Sequence, residues 1–298
     1  MSLLSDTQGT PDRVLSLLQL LAAHDRRLAR AETLAWLNPS FVQGTPRSNA
    51  SPAADQTMGA ALSLNFISQV ENEYRLEDGL EVATLDALAD LTHRRLLSLD
   101  PAHPDAVLPQ AFAFIAARSD QARGTAWVHN ATNKTWAEAV NAALPERANT
   151  DAEGRRFNEY KVAPFWRWTI MQGLALDLPG QGSHPYVAPR LARELATSDL
   201  PRGDEIPVRA LLDLVAERMP YLDGGPLYRA AAEKLGLAAQ GRALSPLLST
   251  ALRDLHEEGV ITLGARADAA GLVSLADDRF SPTKAVQFVI LARETVDA

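Results

Sequence analysis

The chain contains no cysteine. That removes disulfides, thiolate zinc sites, iron–sulfur clusters and cysteine nucleophiles in one step, and it fits a reducing cytoplasm. Catalytic signatures are missing as well. There is no GxxxxGK[ST] phosphate loop, and the glycines of "GLALDLPGQG" do not form a GxGxxG after a strand. There is no GxSxG elbow. Six histidines, His24, His93, His103, His129, His184 and His256, form no HExxH or HxH pair. No uncharged apolar run approaches the roughly 18 residues of a membrane span. The opening "MSLLSDTQGTPDR" has no basic start, so no signal peptide is expected. Basic residues are in the minority, with 29 Lys plus Arg against 37 Asp plus Glu and a formal charge of −8. This balance disfavours non-specific nucleic-acid binding, which rests on phosphate neutralisation, but it leaves room for a local basic face. The expectation is a cytoplasmic chain that is not an enzyme and has no membrane partner, cofactor or metal.

Isolated donor groups do not alter that expectation. "DPAHPD" brings Asp100, His103 and Asp105 together, a conceivable hard-metal set, but a proline-rich acidic loop accounts for it. His256 beside Glu257 reads as a surface histidine. The carboxylate pairs Glu71 with Glu73 and Asp277 with Asp278 fall in expected hairpins and read as solvated charge.

What is present is patterned for a packed protein. The chain has 298 residues, of which 46% are apolar, enough for two or three domains with real cores. Near the C-terminus, Leu248, Ala251, Leu252 and Leu255 recur at helical spacing. Ser245 is a candidate N-cap, with Pro246 in the first turn. Gly259 stops the helix, because the residue past a helix end commonly needs positive φ. Val260, Ile261 and Leu263 favour a strand. "GARADAAG" reads as a turn and "LVSLADDRFSP" as the returning strand, placing a hairpin near 260–275. Upstream, "PVRALLDLVAERM" carries Val208, Leu211, Leu212, Val215 and Met219 as one stripe. "PLYRAAAEKLGL" is a shorter helix ending near Gly236.

A similar series opens the chain. "PDRVLSLLQLLAAHD" places Val14, Leu17, Leu18 and Leu21 on one face, and "RAETLAWLNPS" is a short helix. Met58, Ala61 and Leu62 form a third stripe. Phe66, Ile67 and Val70 then enter a strand that returns through Tyr74 and Leu76, a hairpin near 66–77. "VQGTPRSNASPAADQ" between the second and third helices is a loop by composition and is longer than most such turns. Residues 1–80 carry 6 basic and 9 acidic side chains, and residues 205–298 carry 10 and 13, so each is net −3.

The middle reads as helical. "LEVATLDALADLTHRRLLSL" has leucines at 85, 88, 91 and 96, followed by the proline-broken "DPAHPDAVLPQ" and by helices in "AFAFIAARSD" and "TWAEAVNAAL". "NEYKVAPFWRWTIMQGLALDL" crowds Phe165, Trp166, Trp168, Ile170 and Met171 into seven residues. Aromatics so dense serve a core or an interface. About 200° of helix separates Trp166 from Trp168, so one helix face cannot hold both. Arg167 could stack on them, bind an anion, or lie on a solvated face. "PGQGSHPY" reads as a loop and "APRLARELA" as a helix.

Helix, helix, helix and hairpin, with "LHEEGVITL" at the last junction, resembles the winged helix-turn-helix superfamily at both ends of the chain. The implied fold is mainly α with small β-hairpins. Winged-helix domains at 1–80 and 205–298 would flank a helical middle at 81–204. This order, with the "FWRWTIMQGLAL" segment, its Gly/Pro loop and the "APRLARELA" helix, resembles the DpdG-like accessory proteins of bacterial phage-defence islands. Those clusters place deazaguanine bases in DNA and restrict unmodified DNA. The resemblance implies an accessory protein without chemistry of its own and transfers no catalytic residues. Two readings follow. In one, the third helix of the C-terminal unit reads duplex DNA through Arg242, Ser249, Thr250 and Arg253, with Arg266 of the wing on phosphate. In the other, the winged helices are docking surfaces for other defence-system subunits or for a second copy of the chain. The net charge of −3 on each unit and the aromatic middle favour the second, but the leading expectation is DNA contact in a defence setting, with docking as the alternative.

Overall fold

The computed structural model describes residues 2–5, 7–38, 41–42, 45–46, 52–144, 156–237, 243–266 and 271–293, with backbone alone for 41–42 and 45–46. In chain order these hold α1 (Pro11–Ala23), β1 (Arg27–Ala29), α2 (Arg30–Leu37), β2 (Phe41–Val42), β3 (Thr45–Pro46) and α3 (Ala53–Ser63). Then come β4 (Ile67–Val70), β5 (Glu73–Leu76), α4 (Leu85–Ser98), α5 (Val107–Gln121), α6 (Trp127–Asn130) and α7 (Asn133–Ala143). Next are α8 (Val162–Met171), β6 (Ala175–Leu178), β7 (Gly182–Pro185), α9 (Ala188–Ala196), β8 (Ile206–Pro207) and α10 (Val208–Arg218). Last are α11 (Pro226–Lys234), α12 (Pro246–Glu257), β9 (Ile261–Gly264), β10 (Val273–Ser274), β11 (Ala285–Val286) and β12 (Phe288–Leu291). The architecture is mainly α with small antiparallel strand pairs. No helix among the described residues is long and apolar enough to cross a membrane. The chain divides into two compact units, residues 1–108 with 147–172 and residues 109–146 with 173–298. The stretch 81–204 is thus shared between them.

In the first unit, Val14, Leu17, Leu18 and Leu21 are buried along α1, as their spacing requires. The expected hairpin forms: β4 pairs with β5 in the register Ile67↔Leu76 to Val70↔Glu73. β1 adds to the far edge of β5, giving the order β1-β5-β4. The turn into β1 uses two consecutive left-handed residues, Asp25 (φ 51°) and Arg26 (φ 65°). Arg26 then donates to the carbonyls of Glu77 and Leu80, which ties the exit of β5 back to this turn. Helix α4 starts at Leu85, later than the apolar spacing alone predicts, because the Thr84 hydroxyl accepts from the Ala87 amide at 3.1 Å and caps it there. α4 and α8 both pack on α1. On α8, Trp168 is buried at 1% exposure, while Trp166 is half-buried with its ring edge-on to Phe165 at 5.1 Å. Arg167 donates to the Thr7 carbonyl at 2.8 Å.

In the second unit, Ser245 caps α12, its hydroxyl accepting from the Leu248 amide at 3.3 Å. Ser245 in turn donates its amide and hydroxyl to the half-buried Asp223. Burial raises the Asp223 carboxyl, and the Ser245 hydrogen bonds oppose that shift. Gly259 ends the helix at φ 74°. β9 follows, but "LVSLADDRFSP" does not supply its partner. β9 pairs with β12, from Ile261↔Leu291 to Gly264↔Phe288, and β8 flanks β12 on the other side. The run "AVQFVIL" has the β-branched and aromatic density of a strand, whereas "LVSL" is apolar for only a few residues. Leu272–Leu275 instead starts a separate ribbon, β10 with β11. "PGQGSHPY", expected as a loop, contributes the turn and second strand of the β6–β7 hairpin. Its Gly, Ser, His and Pro have little strand propensity, so composition hid it.

Candidate functional site

The face of α12 expected to meet DNA is largely turned inward. Ser249 is fully buried, donating to the Leu244 carbonyl at 3.3 Å and accepting from the Ala276 amide at 2.8 Å. Arg253 is only 5% exposed. Its guanidinium donates to the Thr283 carbonyl at 3.0 and 3.2 Å and to the Ala276 carbonyl at 2.7 Å. The expectation of an exposed reading face at Ser249 and Arg253 is therefore corrected. The reason is that the segment after β10 folds back over this side of the helix and needs polar partners for its carbonyls. Thr250 is exposed. Arg242 lies outside the described residues. Arg266 is exposed, pairs with Glu205 and sits 5.7 Å over the Phe288 ring.

A second side of α12 meets α9. There Tyr186 hydrogen-bonds Asp254; burial first, then the Asp254 charge, pushes the Tyr186 hydroxyl up to about 12. Burial likewise raises the Asp254 carboxyl. What α12 leaves exposed is Thr250, Glu257 and, at its cap, Glu258, a strip without a cation.

Ser249 and Arg253 hold a loop that sequence reasoning did not single out. Arg253 bonds both of its ends, Ala276 and Thr283. Lys284 reaches Asp277 at 3.2 Å and also the Asp278 carbonyl. The Asp278 carboxylate accepts from the Phe280 amide at 2.9 Å. At the tip, Phe280 is 81% exposed, with the Arg279 guanidinium 4.5 Å over its ring. A closed, internally bonded surface loop is a recurrent functional form. The only sequence trace of it is an apolar ring amid charges in "DDRFSP".

On the first unit, α3 contains no Lys or Arg, and its exposed acid Asp55 pairs with Arg30 at 3.1 Å. Cations lie instead on the sheet. Arg27 stands directly opposite Arg75. The bonds Leu76 N to Arg26 O and Arg30 N to Asn72 O, each 2.8 Å, make this a non-hydrogen-bonded position, where Cα atoms approach to about 4.5 Å. Arg75 is paired with Glu73 at 3.2 Å.

Two histidines from distant sequence meet in the second unit. His129 Nε2 and His184 Nδ1 are 2.9 Å apart in rings tilted by only 6°. Elsewhere, Asp105 of the expected acidic loop is fully buried, accepting from the Leu3 amide at 2.8 Å and from the Ser63 hydroxyl. Among the described residues no group of three or more His, Asp or Glu is placed to hold a metal ion.

The family model described as DpdG-like matches residues 1–269. The chain belongs to the DpdG-like family. No curated protein and no solved structure matches it. The matched span takes in α12 and β9 but ends before the Phe280 loop.

Proposed function

We propose that the protein is a non-enzymatic docking subunit of the Dpd modification system, with winged-helix bodies at both ends that bind protein. Family membership supports the system. The order helix, strand, helix, the short β2–β3 pair, helix, hairpin, with sheet order β1-β5-β4, supports a winged helix at the N-terminal end. Three helices leading into the β9–β12 pair support one at the C-terminal end. The observation that carries the docking reading is the third helices themselves. α3 has no basic residue, and the one arginine of α12 is buried on backbone carbonyls. A helix that reads DNA needs exposed donors toward phosphate and base edges. Co-expression with the other subunits of the system tests this: a stable complex is expected, and a chain that binds none of them overturns it.

A second reading, contact with duplex DNA, draws its support from Arg27 and Arg75. Like charges directly opposite on a sheet repel, and an anion between them would relieve that repulsion. Titration against duplex DNA at two salt concentrations separates the readings. Docking predicts little binding at either. Affinity that falls steeply with salt and is lost in Arg27→Ala/Arg75→Ala would establish the second.

A further inference from the structure

The second unit carries an apolar knob and, at the other end of the same ribbon, a cleft that fits it. The β10–β11 ribbon runs through Val273↔Val286 and Ser274↔Ala285. One end opens into the Ala276–Thr283 loop with Phe280 exposed at its tip. The other end reaches Gly271, Gln287 and Phe288. These line a cleft of about 240 Å³ together with Pro207, Val208 and the charged Glu205, Arg209 and Arg266. An apolar cavity of about 150 Å³ accepts benzene, so a phenyl ring fits. The rim bears both signs, Arg209 and Arg266 with Glu205, and so does the knob, Asp277 and Asp278 with Arg279.

We propose that this chain self-associates as a two-fold pair in which Phe280 of each copy enters the Pro207–Phe288 cleft of the other, with Asp277 exchanging Lys284 for Arg209 and Glu205 exchanging Arg266 for Arg279. Knob and cleft lie at opposite ends of one ribbon, so two antiparallel ribbons satisfy both contacts at once. That is the self-complementary geometry of an isologous interface. The loop is already held by Arg253, Ser249 and Lys284, so little ordering entropy is lost on docking. Two knobs and two clefts make a small interface, and the pair is expected to dissociate at a concentration on the order of micromolar. The proposal rests on the docking reading only in treating the second unit as a protein-binding body.

Sedimentation equilibrium of the full chain over a range of concentrations tests it. A monomer–dimer equilibrium is expected, weakened about tenfold or more by Phe280→Ala. Arg209→Asp should weaken it as well, and adding Asp277→Arg to that variant should restore part of the affinity. All three positions are exposed, so far-UV circular dichroism should not change. A chain that stays monomeric, a dimer indifferent to Phe280→Ala, or growth into longer polymers would each overturn the two-fold pair. None of these bears on whether other subunits bind, which co-expression measures separately.

Discussion

Arg253 reaches both ends of the Ala276–Thr283 loop from one guanidinium, and it is nearly buried while doing so. Removing it leaves two loop carbonyls short of a donor. Arg253→Ala should therefore cost about 1–3 kcal/mol of stability, read as a shift in the denaturant midpoint. Arg253→Lys should not restore it, since a point ammonium cannot reproduce the planar fork. Unchanged stability in both variants would return this arginine to the surface role its sequence position suggested. The histidine pair makes a second residue-level case. The Gln181 carbonyl can only accept, so His129 Nδ1 carries a proton at 3.1 Å from it. His129 Nε2 and His184 Nδ1 share a hydrogen bond at 2.9 Å, and His184 Nε2 faces the Thr125 hydroxyl at 3.4 Å. Burial, and secondarily the neighbouring His129, hold the His184 imidazole below its ordinary value of 6.5. The unfolded chain therefore takes up the proton first as pH falls. The stability from His184 is present above about 6.5 and is lost as pH drops from there through the lower folded value. Melting temperature should fall with pH across that window in the wild type, and less steeply in His184→Gln. Equal slopes would mean that the burial of His184 does not set this window.

Elements were legible where one residue class repeats at a fixed period. The stripes of α1 and α12 are buried at the positions their spacing named, and that of α10 at all but the half-buried Leu212, because burial of a helix face is set locally by the 3.6-residue period. The hairpin near 66–77 was legible for the same reason. The β9 partner was not, since strand pairing is non-local and nothing in "LVSL" says which later strand completes the sheet. Nor could the period show which polar side of α12 faces solvent. Ser249 and Arg253 look like surface residues until the β10–β11 segment is seen to cover them. The sheet itself carries a test of the observed pairing. Gly264 lies opposite Phe288, and a β-carbon at Gly264 would fall on the Phe288 ring. Gly264→Ala should destabilise by about 1–3 kcal/mol through overpacking. Adding Phe288→Ala should remove much of that added penalty, a coupling measurable in a double-mutant cycle. Additive effects would contradict the β9–β12 register.

For the whole molecule, the division into units does not follow the order of the chain, and this bears on how it can be dissected. Residues 205–298 read as a self-sufficient winged helix in sequence, yet the unit that contains them also includes residues 109–146. That earlier stretch supplies partners to the C-terminal part. Phe112 packs edge-on against the buried Tyr221 ring at 5.2 Å. Asp120 accepts from the Tyr228 hydroxyl at 2.9 Å. The Leu144 carbonyl accepts from Lys234 at 2.6 Å, and Gln121 donates to the Leu235 carbonyl at 3.0 Å. A fragment of residues 173–298 loses all four at once. It exposes the apolar surface around Tyr221 and leaves polar groups beside it without their partners, and a domain's net stability is only about 5–15 kcal/mol. The fragment should accordingly melt at a much lower temperature than the full chain, or without a cooperative transition. Residues 109–298 keep every segment of that unit and should melt cooperatively by circular dichroism. If 173–298 melts as sharply and as high as 109–298, the four contacts contribute little, and the C-terminal part is an autonomous domain after all.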